Sequence, residues 1–230
     1  MDVSTSSLAG RLRRVEERVA AAAARAQRDP STVTVVAVSK TWPVGVILDA
    51  LDAGVTDLGE NRAQEFKQKV AVIGRGPRWH FVGHLQTNKV RSVVGAAVLI
   101  HSVDRFGLAE AIARRASDLG VTQDVLLEVN VSGEASKHGV EPQQAIAVAE
   151  EVAGLDGIEV RGLMTMAPFT DDPQSSRPYF QALGDLGLSI QERVPSAREL
   201  SMGMTRDFEV AVEEGATLVR VGEAIFGARS

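Results

Sequence analysis

The sequence predicts a (β/α)8, or TIM, barrel with one extra helix at its N-terminus, and three observations lead there. Eight strand-like segments alternate with helix-like segments along the chain. Several strands are almost continuously apolar, as in Val-Leu-Leu-Glu-Val-Asn-Val at 125–131, the pattern of parallel strands covered on both faces. The first strand ends in Ser39-Lys40-Thr41-Trp42-Pro43, which has no glycine and cannot make the turn of a doubly wound dinucleotide-binding sheet. With 230 residues the chain is slightly shorter than the ~250 usual for such barrels. No long linker divides it, so 1–230 reads as a single domain.

The elements follow from local pattern. Leu8, Leu12, Val15, Val19 and Ala22 recur at helical spacing, which predicts a helix over 5–27 capped by Ser6 or Ser7. Asp29-Pro30-Ser31 breaks it. Strands are expected near 33–39, 55–58, 79–82, 97–101, 124–130, 158–163, 198–202 and 217–221. Helices are expected near 43–53, 61–72, 86–94, 105–119, 141–153, 174–192 and 205–215. Pro43 and Pro142 sit where a first helical turn tolerates a missing N–H. Gly54, Gly120, Gly154 and Gly215 sit where helices should stop.

Composition narrows the function classes. Hydrophobic residues make up 44% and charged residues 24%, ordinary for a soluble globular chain. A net charge of −5 offers no basic excess to neutralise phosphates, so no nucleic-acid partner is expected. The absence of cysteine excludes disulfides and thiolate chemistry and is compatible with a cytoplasmic location. The apolar stretch from Val19 to Ala24 is bounded by Arg18 and Arg25 and is too short for a signal sequence or a membrane span.

In this fold function gathers at the C-terminal ends of the strands. Lys40 ends the first strand. Its stem leaves an apolar run, where lost solvation favours the free amine that Schiff-base chemistry needs; the plainer reading is a solvated lysine. Gly59-Glu60-Asn61 follows strand two, His101-Ser102-Val103-Asp104 ends strand four, and Asn130 and Met164-Thr165-Met166 end strands five and six. Strands seven and eight bring Ser201-Met202-Gly203 and Arg220-Val221-Gly222. Ser201 offers a hydroxyl, the glycines allow close approach of backbone amides, and Thr205 could cap the next helix: together, a candidate anion cradle. Arg220, in an otherwise apolar strand, needs a partner; Glu60, Asp104 or the ring nitrogen of a cofactor would serve. His80, between Trp79 and Phe81, reads as a satisfied core histidine, while His84, His138 and Lys137 read as solvated loop residues. No metal-ligand spacing and no nucleophile elbow occur, so no metal and no catalytic residue is assigned.

Seven ordered segments then resemble one family. Val-Ala-Val-Ser-Lys40, Gly59-Glu-Asn61, Trp79-His-Phe-Val-Gly-His-Leu-Gln-Thr-Asn-Lys89, Val129-Asn-Val-Ser-Gly-Glu-Ala-Ser-Lys137, Gly162-Leu-Met164, Leu200-Ser-Met-Gly-Met204 and Val219-Arg-Val-Gly-Glu-Ala-Ile-Phe-Gly227 are similar to the pyridoxal phosphate homeostasis proteins. These are single-domain relatives of the alanine racemase barrel, the fold-type III cofactor barrel. The resemblance implies that Lys40 forms a Schiff base with pyridoxal 5′-phosphate (PLP) and that Arg220 faces the pyridine nitrogen. It implies that Ser201, Gly203, Gly222 and the amide of Glu223 cradle the phosphate, and that Asn61 and Met202 line the cofactor. Relatives carry a smaller residue, often threonine, where Glu223 stands, so Glu223 can offer only its amide while its carboxylate turns away.

The resemblance further implies a cytoplasmic protein that holds, buffers or delivers PLP, with PLP-dependent apoenzymes as possible recipients and no turnover. A lone barrel is expected to be monomeric. The racemase relatives use a tyrosine of a second domain as their second proton-transfer group. The only tyrosine here, Tyr179, falls in the helix after strand six, away from the rim. A racemase-like enzyme of weak turnover and a cofactor-free Schiff-base aldolase are the alternatives.

Overall fold

Successive residues of a strand face opposite sides, and this period sorts the apolar residues into two layers. The computed structural model describes residues 7–134 and 137–228. Its strands are β1 (Thr34–Val38), β2 (Asp57–Glu60), β3 (Arg78–Phe81), β4 (Leu99–Val103), β5 (Gln123–Glu128), β6 (Ile158–Met164), β7 (Glu199–Met204) and β8 (Leu218–Val221). Each pairs in parallel with the next, and β8 returns to β1 to close the barrel. Val36, Leu99, Leu126, Met164 and Leu218 form a small apolar cluster inside. The larger cluster lies between the strands and the helices; in it Phe66 meets Trp79 and Phe81 edge-on at 5.9 and 6.0 Å.

The helices are α1 (Leu8–Arg25), α2 (Val44–Asp52), α3 (Ala63–Ile73), α4 (Phe106–Asp118), α5 (Ala145–Ala153), α6 (Arg177–Gln191), α7 (Phe208–Glu213) and α8 (Glu223–Phe226). Ser7 caps α1 by accepting the Gly10 N–H at 3.1 Å; Ser6 lies outside the described residues. α1 packs on α7 and α8. Arg11 of α1 donates to the carbonyls of Ile225 at 2.7 Å and Phe226 at 3.2 Å. Just beyond α1, Arg28 donates to the carbonyls of Val212 and Ala216.

The expected order of elements holds, with three differences. The segment expected as a helix over 86–94 forms a 3-10 turn, Thr87–Ser92, in which only Val90 is buried, too narrow an apolar face to hold an α-helix. Thr205 does not cap α7. Asp207 stands there, and its carboxylate reaches back to accept the Met204 N–H at 2.7 Å and the Ser176 hydroxyl at 3.1 Å. α8, four residues long, leaves no periodicity to read. Among the described residues no helix is long and apolar enough to cross a membrane.

Candidate cofactor site

Strand register brings the two ends of the sequence together. Ala37 of β1 lies opposite Leu58 of β2 on one side and Val221 of β8 on the other, and β7 pairs with β8. Lys40, Asn61, Gly222 and the 201–204 segment therefore share one sector of the C-terminal rim, on the contiguous strands β7, β8, β1 and β2.

The turn that carries Lys40 is clamped from outside the barrel. The Ser39 hydroxyl donates to Glu60 at 2.7 Å. Lys69, from α3, donates to the Ser39 carbonyl at 2.8 Å and to Glu60 at 2.5 Å. The Thr41 N–H donates to both oxygens of Glu65, at 2.9 and 3.2 Å. Thr41 has φ 68°, a left-handed conformation costly for a β-branched residue, and the clamp holds it there. Lys69 and Glu60 are both buried. Burial raises the Glu60 carboxyl above its ordinary range, opposed by Lys69 and Ser39. Lys40 itself is half-buried.

Arg220 points into the barrel and is buried. Its expected carboxylate partners are elsewhere. Glu60 faces outward to Lys69, and Asp104 sits on the rim with Arg105 at 2.6 Å and His84 at 3.2 Å. Arg220 instead donates to the Ser201 hydroxyl at 2.5 Å and to the Thr165 carbonyl at 2.8 Å. Burial lowers its pKa to about 10, while Asp207 and Glu128 pull the other way at longer range. The guanidinium stays charged at neutral pH, and among the described residues no carboxylate is hydrogen-bonded to it.

Behind Arg220 a chain of polar groups crosses the barrel. Ser201 Oγ lies 2.8 Å from His101 Nδ1, His101 Nε2 lies 2.9 Å from His80 Nδ1, and His80 Nε2 lies 2.8 Å from Asp57 Oδ1. His80 is thus a satisfied core histidine. Glu128, at the inner end of β5, is also buried. Burial pushes its carboxyl up to about 7, the neighbouring Asp104 adds to the rise, and Arg220 opposes it.

The remaining site residues are placed as follows. Asn61 is half-buried, and its Oδ1 is enclosed without a hydrogen-bond partner among the described residues. Met202 is packed in the outer apolar layer, which leaves its backbone as what it can offer the rim. Gly203 has φ 88°, and a Cβ there would lie 2.5 Å from Ala211 Cβ, so only glycine fits that turn. Gly222 joins β8 to α8, and the Glu223 side chain is exposed.

His84 and His138 are not freely solvated: their rings stack at 3.9 Å beside Asp104. Two rings inclined by 17° and stacked cannot both aim an in-plane nitrogen at one ion, so the trio as folded is not a metal centre. Lys137 pairs with Glu134 at 3.1 Å. Tyr179 lies in the first turn of α6, packed against the outer layer.

Sequence reasoning missed Glu65, Lys69 and Glu128 and left the Asp57–His101 chain unlinked. Glu128 carried a signal, as the one charge within the apolar run 125–129 on the inward period. Lys69 carried none, since Lys67 two positions earlier is exposed and looks the same in sequence.

A closed parallel barrel with a lysine at the end of its first strand and an arginine inside its last defines a class. The description of the alanine racemase N-terminal domain matches residues 11–230, and the chain belongs to that family. Its near-full-length relatives are pyridoxal phosphate homeostasis proteins. That of Aquifex aeolicus is 46% identical over 95% of this chain and 97% of its own, and that of Escherichia coli K12 is 35% identical over 97% of both. PipY of Synechococcus elongatus, solved with PLP bound, superposes with a TM-score of 0.80 at 35% identity over 93% of this chain and 100% of its own. Alanine racemase of Corynebacterium glutamicum, at 15% identity and a TM-score of 0.70 over 94% of this chain and 61% of its own, shares the fold.

Proposed function

We propose that this chain binds PLP and serves in its intracellular homeostasis, holding the cofactor on Lys40 and buffering or delivering it. One observation carries the reading. The clamped turn bearing Lys40 and the buried, carboxylate-free Arg220 occupy adjacent strands of one rim sector. A buried charge without an ion pair is costly, and its retention points to a ligand that completes it.

The residues fit the group. Ser201 and Thr165 take two of the five N–H donors of Arg220, leaving others for a ring nitrogen. The orphan Oδ1 of Asn61 awaits a donor, and the glycine turn at 203 allows close backbone approach. When bound, PLP supplies an electrophilic aldehyde and an electron-accepting ring. Lys40 is the amine that binds that aldehyde. Arg220 holds the ring nitrogen unprotonated, because its own charge disfavours a second one beside it. The backbone at 201–204 and 222–223 cradles the phosphate. Glu223 contributes its amide while its carboxylate faces solvent.

Storage and hand-over to PLP-dependent apoenzymes suit this arrangement better than turnover. Arg220 weakens the ring as an electron sink, and Tyr179, the chain's only tyrosine, packs in the outer layer. Purified protein incubated with PLP should turn yellow and bleach with borohydride. Lys40→Ala should abolish both; a Lys40→Ala protein that keeps the spectrum ends the assignment. Rapid exchange of an amino acid's α-hydrogen in heavy water, with racemisation, would overturn the no-turnover reading.

A further inference from the structure

The chain Asp57–His80–His101–Ser201–Arg220 runs from the base of the barrel to the candidate site. All five residues are buried, and every neighbouring pair is within hydrogen-bond distance. Two of its ends have fixed roles. Asp57 can only accept: hydrogen bonds from His80 and Thr56 keep its carboxyl below the usual range, outweighing the effect of burial. Arg220 can only donate. The middle has two self-consistent orders.

With His80 neutral, its Nε2–H donates to Asp57 and its Nδ1 accepts from His101 Nε2–H. His101 Nδ1 is then an acceptor and receives the hydrogen bond of the Ser201 hydroxyl, so Ser201 offers only lone pairs to its other neighbours, one of them to Arg220. With His80 doubly protonated, it donates to both neighbours. His101 then carries its proton on Nδ1 and donates it to Ser201. Ser201 now receives two donors, and its own hydroxyl proton is free for the rim.

We propose that Asp57, His80 and His101 are positioning residues whose single added proton decides whether Ser201 can donate to an anion in the cofactor site. Burial, then His80 and Arg220, hold His101 well below the ordinary histidine range, so the added charge does not settle on it. The groups facing His80 are Asp57 on β2, with Arg78 bridging to it at 3.2 Å, and His101 on β4. Ser201 on β7, Arg220 on β8 and Glu128 on β5 are buried beyond it, and Asp124, on the same face of β5 as Glu128, lies 3.7 Å from Arg161. The Asp57 end borders a cleft of about 360 Å³ at the barrel base, lined also by Thr56, Glu16 and Leu12, which gives protons an entry remote from the rim.

The consequence for anion binding rests on the proposed function; the relay does not. Nitrogen-15 spectra of ring-labelled histidine in the ligand-free protein test the relay directly. As His80 gains its second proton, His101 should stay neutral and move its proton from Nε2 to Nδ1 in the same step. A His101 that keeps its Nε2–H, that itself becomes the imidazolium, or a His80 that never takes the proton while the fold persists overturns the proposal.

The second arm compares pyridoxine 5′-phosphate with pyridoxine, a pair that differs in the phosphate and lacks the aldehyde. Through the same step the wild-type preference for the phosphorylated form should rise roughly tenfold beyond that of Ser201→Ala, as expected for one hydrogen bond to a charged group. Ser201→Ala supplies the ligand's own ionisation. Equal preferences in the two proteins sink the proposal. Failure of both ligands to bind at any pH strikes the proposed function alone, and the tautomer result then decides the relay by itself.

Discussion

At the scale of single residues, two buried ionisable groups dominate. Lys69 holds the backbone before Lys40 and pairs with Glu60. Lys69→Met strands the Glu60 carboxylate, and removing one partner of a buried pair costs about 3–5 kcal/mol. A lower melting temperature and weaker PLP binding are expected, with the stability largely restored in Lys69→Met/Glu60→Gln while the affinity stays low. Full affinity in the single variant would show that the clamp does not place the amine.

Glu128 has the opposite character. Its carboxyl keeps its proton up to about pH 7 in the fold, against an ordinary value of 4.5. The native state therefore binds the proton more tightly than the unfolded chain, and ionisation destabilises it. No penalty exists below pH 4.5; it grows as pH rises and is complete above about 7. Glu128→Gln should stabilise the protein at pH 8 by up to about 3 kcal/mol and leave it unchanged at pH 4, as read from urea melts at the two values. An equal effect at both would place the cause in packing.

At the scale of elements, α1 acts as a brace. Arg11 satisfies the last carbonyls of α8, whose first residues, Gly222 and Glu223, belong to the candidate phosphate cradle. Arg11→Ala should cost about 1–2 kcal/mol in thermal unfolding and loosen PLP severalfold, although no atom of Arg11 is assigned to the site. An affinity equal to wild type would confine α1 to stability.

The elements also show what a linear reading can reach. The inward Arg220 was legible because a charge in Leu-Val-Arg-Val can be retained only for a partner. The rim sector was legible because glycines and polar residues end successive strands. Which partner Arg220 finds was not, since Ser201 and Thr165 approach through barrel closure rather than sequence spacing. The stacking of His84 on His138 was hidden for the same reason. The turn at 87–92 was misread because five polar or charged residues and one buried valine leave periodicity little to work on.

At the scale of the whole molecule, closure is what matters. β6 and β7 approach so closely at Gly162 that a Cβ there would lie 1.9 Å from the Glu199 carbonyl oxygen. Gly162→Ala should wedge the sheet open and yield insoluble or grossly destabilised protein. Gly107→Ala, on an exposed face of α4 with nothing within 4 Å, should be neutral or stabilising by up to about 1 kcal/mol. Similar melting curves for both would mean that the barrel tolerates a gap.

The pairing of β8 with β1 has a consequence for synthesis. Lys40 follows β1, while Arg220 and Gly222 come only with β8, some 180 residues later in the chain. On the proposed function, a nascent chain that has not yet made β8 carries the amine without the arginine and the second glycine turn, and should retain PLP poorly.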